Sequence, residues 1–140
     1  MIGLVIVTHG HLADELRAAM EHVIGKQPNI ATVCVGPEDD LDVRRTDILS
    51  RIQDVEKGEG VILLTDMFGG TPSNLAISTM GTGDIEVISG VNLPMLVKLG
   101  KIRRSHALAE CVSCAQTAGR KYIASASDIL PNCRDTECGL

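Results

Sequence analysis

Ile2-Gly3-Leu4-Val5-Ile6-Val7-Thr8-His9-Gly10-His11 is the stretch from which the fold can be read. An apolar run rich in β-branched residues describes a strand buried on both faces, not one that alternates between core and water. Such strands belong to parallel sheets covered by helices on both sides. The run stops at a histidine and a glycine. Helical spacing then takes over at Leu12, Leu16, Ala19, Met20 and Val23, with Gly25 placed to end the helix. His9 therefore stands outside the carboxyl end of a buried strand, where open α/β sheets bind ligands. A histidine in that place can act as base, metal ligand or nucleophile.

Working outward, apolar runs continue to alternate with helical patterns. Residues 30–35 predict a second strand, closed by Gly36-Pro37, and 39–56 predict a polar helix whose buried stripe is Leu41, Ile48, Leu49, Ile52 and Val55. Residues 60–65 form the third strand; Thr71-Pro72 then opens a helix with a capping hydroxyl and a proline at its first position. The fourth strand is 85–88, followed by Ser89-Gly90-Val91-Asn92-Leu93-Pro94, and residues 94–119 are helical with a break near Gly100. Residues 122–124 are expected as a short last strand, and 125–140 carry too little periodicity to assign. Strands separated by helices imply right-handed crossovers and a mainly parallel sheet. The expectation is a single doubly wound α/β domain of flavodoxin-like order, with helices on both faces and a short antiparallel strand at its C-terminal end.

Composition narrows the function. The chain has 140 residues, 44% of them hydrophobic, yet Phe68 and Tyr122 are its only aromatics, so the core is aliphatic. A net charge of −5, with neither basic patch nor aromatic platform, argues against nucleic acid and anionic membranes as partners. No apolar run approaches the roughly 20 residues of a membrane span. Residues 2–7 are too short a run, and lack the basic flank, for a secretory signal. A cytoplasmic location is expected. The five cysteines, Cys34, Cys111, Cys114, Cys133 and Cys138, are an odd number, which speaks against a disulfide framework. Cys111-x2-Cys114 and Cys133-x4-Cys138 have the count of a zinc site, but the first pair lies in a helical stretch where cysteine packs as a small hydrophobe. No metal is expected.

Three segments converge on one edge if all strands are parallel. Thr8-His9-Gly10 follows the first strand, Asp66-Met67-Phe68-Gly69-Gly70-Thr71-Pro72 the third, and Ser89-Gly90-Val91-Asn92 the fourth. Gly69 and Gly70 let backbone approach a ligand closely, while Thr71, Ser73 and Asn74 surround a helix N-terminus whose N–H donors suit phosphate. Asp66 could accept from one ring nitrogen of His9, fixing the tautomer and freeing the other nitrogen to attack. Phosphoryl transfer requires little beyond such positioning and charge stabilisation. With no P-loop and no Gly-x-Gly-x-x-Gly fingerprint, ATP and dinucleotides are poor candidates. Each feature alone has a plainer reading: a hydrogen-bonding histidine, a turn-capping aspartate, glycine punctuation. Their joint placement favours the phosphohistidine. His11, His22 and His106 read as surface residues, and Pro94 and Met95 as the start and packing of a helix.

The start Val7-Thr8-His9-Gly10, the stretch Leu63-Leu64-Thr65-Asp66-Met67-Phe68-Gly69-Gly70-Thr71-Pro72-Ser73-Asn74 and Ile88-Ser89-Gly90-Val91-Asn92-Leu93-Pro94-Met95-Leu96 together resemble the enzyme IIA domain of the mannose-type phosphotransferase system. The resemblance runs over residues 1–124 and leaves 125–140 as a tail without counterpart. It implies a phosphotransferase without cofactor, in which His9 takes a phosphoryl group on Nε2 from the phosphocarrier HPr. Asp66 would orient the ring, and Gly69, Gly70, Thr71 and Ser73 would hold the phosphate. It further implies a homodimer built by a C-terminal strand that crosses to the partner, for which residues 122–124 are the available segment. A separate IIB protein or a regulatory target would receive the phosphate. A histidine phosphatase is the alternative, weakened because those enzymes carry arginine where this chain has Thr8. The phosphodonor subunit of dihydroxyacetone kinase ranks lower, as it is expected to lack the loop at residues 68–74.

Overall fold

The computed structural model describes residues 1–130. Its elements follow one another as β1 (Gly3–His9), α1 (Leu12–Ile24), β2 (Ile30–Val35), α2 (Leu41–Val55), β3 (Val61–Thr65), α3 (Thr71–Ile77), β4 (Ile85–Ser89), α4 (Leu93–Ile102), α5 (Leu108–Lys121) and α6 (Ala126–Ile129). The four strands form one parallel sheet in the order β2-β1-β3-β4. The chain order reverses between β1 and β3, so their carboxyl ends flank the crevice of a doubly wound sheet.

Side chains of β1 alternate between two separate cores. Leu4 and Ile6 join Met20, Ile62, Leu64, Leu96, Leu99 and Ala115 beneath α1, α4 and α5. Val5 and Val7 join Val33, Ile48, Ile52, Leu63 and Ala76 beneath α2 and α3. Burial of β1 on both faces explains its unbroken apolar character: a polar residue at any of these positions would be desolvated without a partner. Each such aliphatic side chain contributes on the order of 1.5–3 kcal/mol by leaving water.

Several local expectations change. Gly70, not Thr71, is the N-cap of α3, and no side chain caps that helix. Leu41, expected in the buried stripe of α2, is 51% exposed, while Ile48, Ile52 and Val55 form the buried face. Gly100 lies inside α4 and does not break it. A Cβ there would stand 2.3 Å from Ile24 Cδ1 and 2.9 Å from Met20 Cε, so this glycine marks where α4 crosses close to α1. The helical stretch breaks instead at Arg103, whose side chain is wholly buried. Residues 122–124 form no strand: Tyr122 ends α5, and among the described residues the sheet has no antiparallel member. Cys111 is buried in α5 and its thiol donates to the His106 carbonyl at 3.7 Å, as a packed cysteine would. Cys133 and Cys138 lie outside the described residues. No described helix is long and apolar enough to cross a membrane.

Candidate active site

Two strand ends build the site. His9 is the last residue of β1 and Asp66 immediately follows β3, and these strands are paired with Val7 beside Thr65. The pairing delivers the two side chains to each other without any long-range adjustment. His9 Nδ1 lies 2.8 Å from Asp66 Oδ2, and the same oxygen accepts the His9 backbone N–H at 3.0 Å. Asp66 Oδ1 accepts from the Met67 N–H at 3.1 Å. Three donors thus fix the carboxylate. Burial works to raise its pKa, but the hydrogen bonds from His9 outweigh it and hold the carboxyl below its ordinary value.

An ionised carboxylate only accepts, so the ring nitrogen facing it carries the proton and Nε2 keeps its lone pair. The His9 side chain is 52% exposed and that of Asp66 16%, so the ring is presented to solvent while its orienting partner is sheltered. Gly70 runs along the Nε2 edge of the ring. A Cβ on it would stand 2.7 Å from His9 Cε1 and 3.1 Å from Nε2, which leaves room at this position for glycine alone.

Around that edge, Gly69 adopts φ +85°, a left-handed conformation that turns the chain from Phe68 toward α3. The first intrahelical bond of α3 runs from the Asn74 N–H to the Gly70 carbonyl at 3.1 Å. The N–H groups of Thr71 and Ser73 precede it, and Pro72 has none to offer. Ser73 differs from expectation: it is buried, and its hydroxyl donates to the Gly70 carbonyl at 3.0 Å. That bond holds the loop from behind and does not face solvent. Thr71 is half-buried at the start of α3.

The loop after β4 joins through Thr65. Thr65 and Ser89 share a hydroxyl–hydroxyl hydrogen bond of 2.6 Å, and the Thr65 carbonyl accepts from Gly90 N–H and Val91 N–H, each at 3.0 Å. Asn92 caps α4 through Met95 N–H at 3.1 Å and donates to the Gly119 carbonyl at 3.0 Å, tying this loop to the end of α5. All three sequence segments therefore meet on one edge.

Some neighbours were not anticipated. Leu12, Met67 and Phe68, in the segments that follow β1 and β3, are 45%, 58% and 64% exposed. Two large apolar residues inside a glycine-rich turn were the available signal, since a turn that only reversed the chain would not need them. Thr8 is buried, and its hydroxyl accepts the Ala13 N–H at 2.7 Å, capping α1 from the preceding strand. Metal-type donors cluster at His11, Asp14 and Cys34, a group that does not include His9.

The family described as "PTS system fructose IIA component" matches residues 3–116. The mannose-specific EIIAB component of the phosphotransferase system from Escherichia coli K12 is 31% identical over 124 residues, covering 87% of this chain. The chain spans 38% of that relative's length. The sorbose-specific EIIA component from Lacticaseibacillus casei is 25% identical over 126 residues, covering 89% of this chain and 91% of the relative. The crystal structure of a phosphotransferase system EIIA component from Streptococcus agalactiae matches with a TM-score of 0.83 at 26% identity, over 91% of this chain and 99% of that one.

Proposed function

We propose, since this chain belongs to the mannose-type EIIA family of the phosphotransferase system, that it is a phosphocarrier whose His9 is phosphorylated by phospho-HPr. The observation that carries the reading is the 2.8 Å contact between His9 Nδ1 and Asp66, which leaves Nε2 as the nucleophile. In the transfer, the Nε2 lone pair forms the new N–P bond as the bond from phosphorus to the donor breaks. The ring becomes cationic, and the Asp66 carboxylate stabilises that charge. Gly70 leaves space beside Nε2 for the phosphoryl group, with the Gly69–Thr71 backbone lining it and Ser73 bracing Gly70. The exposed Leu12, Met67 and Phe68 supply apolar contact for protein partners that exchange the phosphate.

The receiver is a IIB protein in sugar uptake, or a protein regulated by the phosphorylation state. Residues 1–124 constitute the carrier domain, with 125–140 as a tail. A cytoplasmic homodimer is the proposed form. Exposed Tyr122, Ile123, Ile129 and Leu130 support it, being apolar surface gathered in residues 122–130, directly after α5. The phosphatase alternative lacks support: Thr8, where those enzymes place arginine, is buried and its hydroxyl is engaged by Ala13.

Incubation with phosphoenolpyruvate, enzyme I and HPr is expected to give one acid-labile phosphate per chain, absent in His9→Ala. A fully labelled His9→Ala variant would overturn the assignment. Passing the labelled protein over candidate IIB partners separates transport, which removes the label, from regulation, which changes binding and leaves it in place.

A further inference from the structure

A second cluster of reactive side chains lies on the same edge of the sheet as His9 and shares no residue with the site above. His11 precedes α1, Asp14 is in its first turn, and Cys34 is near the end of β2. Their imidazole nitrogen, carboxylate oxygen and thiol sulfur all lie within 4.8 Å of one another. Topology brings them together. β1 and β2 pair with Thr8 beside Cys34, and α1 packs back against β2. His11 and Asp14, three residues apart at a helix start, share one side of the turn. Thr32 and Cys34, two apart on the edge strand, share the face that meets α1.

Asp14 is already held in place. Thr32 Oγ1 donates to Asp14 Oδ1 at 2.6 Å, and the Cys34 thiol, its pKa raised chiefly by burial, is itself hydrogen-bonded to Asp14. The neighbouring cations do not compete for it. Arg44 is paired with Asp47 at 3.0 Å and approaches Asp39 at 3.9 Å, and Arg51 is paired with Asp54 at 3.1 Å. Cys34 and Asp14 line a cleft of about 410 Å³ with Thr32, Arg44, Asp47 and Arg51, so an ion has a path in from solvent.

We propose that His11, Asp14 and Cys34 form a site for a borderline-soft divalent metal ion of the zinc class. One nitrogen, one oxygen and one sulfur donor suit zinc or cobalt, whereas calcium and magnesium require an all-oxygen set. Tetrahedral bonds to such an ion place donor atoms about 3.3–3.8 Å apart, a contraction that the exposed His11 side chain reaches by rotating toward the fixed Asp14 carboxylate. On binding, the Cys34 thiol gives its proton to solvent as the sulfur–metal bond forms, and a water occupies the fourth position. The bound ion would tie the turn at Gly10, directly after His9, to the edge strand β2. The site stands or falls apart from the phosphoryl chemistry, since it uses neither His9 nor Asp66.

The test is a Co²⁺ titration of the full chain, with a reductant that is not a thiol, in a Cys114→Ser/Cys133→Ser/Cys138→Ser background that removes the competing cysteines apart from buried Cys111. One equivalent is expected to bind and give a thiolate-to-cobalt charge-transfer band, which one equivalent of Zn²⁺ abolishes. Cys34→Ser added to that background is expected to lose the band. His11→Ala and Asp14→Asn, separately, should weaken binding by about tenfold or more, with circular dichroism unchanged. Absence of the band in the background protein, or its persistence after Cys34→Ser, would overturn the proposal.

Discussion

In the proposed phosphocarrier, His9 and Asp66 divide the work between an exposed ring and a sheltered carboxylate, and substitutions at this pair separate position from charge. Asp66→Asn keeps the shape but removes the obligate acceptor, so the ring can present its N–H outward. Phosphorylation by phospho-HPr is expected to slow by about 10²–10⁴-fold, read from the initial labelling rate. The same residue sets an acid dependence. Its folded-state pKa lies below the ordinary 3.8, so the stability it contributes is present above pH 3.8 and is lost as pH falls through the lowered folded value. Urea midpoints of wild type and Asp66→Asn should therefore converge in that acid range. Gly70→Ala tests the space beside the ring. Its methyl group would stand 2.7 Å from His9 Cε1, so the ring must turn off its line. A displacement near 1 Å predicts roughly a 10²-fold slower transfer with an unfolding midpoint close to wild type. The contact of this pair was legible because both residues stand at the ends of apolar runs. The service of Ser73 to the Gly70 carbonyl was not, because a serine hydroxyl reads the same whichever way it points.

The β1–α1 turn carries the same lesson for whole elements. His11 opens α1 without any side-chain cap, and the hydroxyl that captures an N-terminal amide comes from Thr8, five residues before Ala13. Thr8→Val keeps the shape and leaves the Ala13 N–H buried without its partner, at a cost of about 1–3 kcal/mol. Urea denaturation should show a lower midpoint at unchanged slope. Gly3 at the other end of β1 is constrained by packing. A Cβ there would stand 2.5 Å from the Val55 carbonyl oxygen, a backbone atom at the end of α2 that cannot rotate away. Gly3→Ala should cost about 1–3 kcal/mol through displacement of that helix end. The existence of these helices was readable from their spacing. Their ends were not, as the stretch after Asn92 shows: Gly100 looks like a helix breaker in one dimension and is a point of helix contact in three.

Arg103 holds the edge of the molecule opposite the site. Its guanidinium is wholly buried and donates to the Ile2 carbonyl at 3.2 Å, the Asn29 carbonyl at 3.1 Å, the Pro28 carbonyl and Gln27 Oε1. The end of α4 is thereby fastened to the start of β1 and the approach to β2. Burial, with Arg104 nearby, pushes its pKa down to about 10, so it stays charged at neutral pH and is held by oxygen dipoles. Arg103→Met removes every donor at once and should cost about 1–3 kcal/mol for each buried acceptor left without a partner. Arg103→Lys should recover only part, since one ammonium cannot span the fork. Thermal melts with calorimetric enthalpies would check both. The proposed dimer is tested at this scale too: Ile123→Glu should shift the mass seen by light scattering toward one chain, while a fully dimeric variant would remove these residues from the interface.

Local composition was enough to establish the parallel sheet, its helices on both faces and the meeting of His9 with Asp66. A strand buried on both faces must be continuously apolar, and where such a run stops, at a strand's carboxyl end, is itself written in the chain. Only the tertiary structure decided that Gly100 sits inside a helix, which leucine faces water, where the Ser73 hydroxyl points and that Arg103 belongs inside. Gly100 and Arg103 depend on atoms distant in sequence, Met20 and Ile24 in the one case and Ile2, Pro28 and Asn29 in the other. Periodicity records which residues share a face, but the neighbour that face will meet is fixed only when the layers pack.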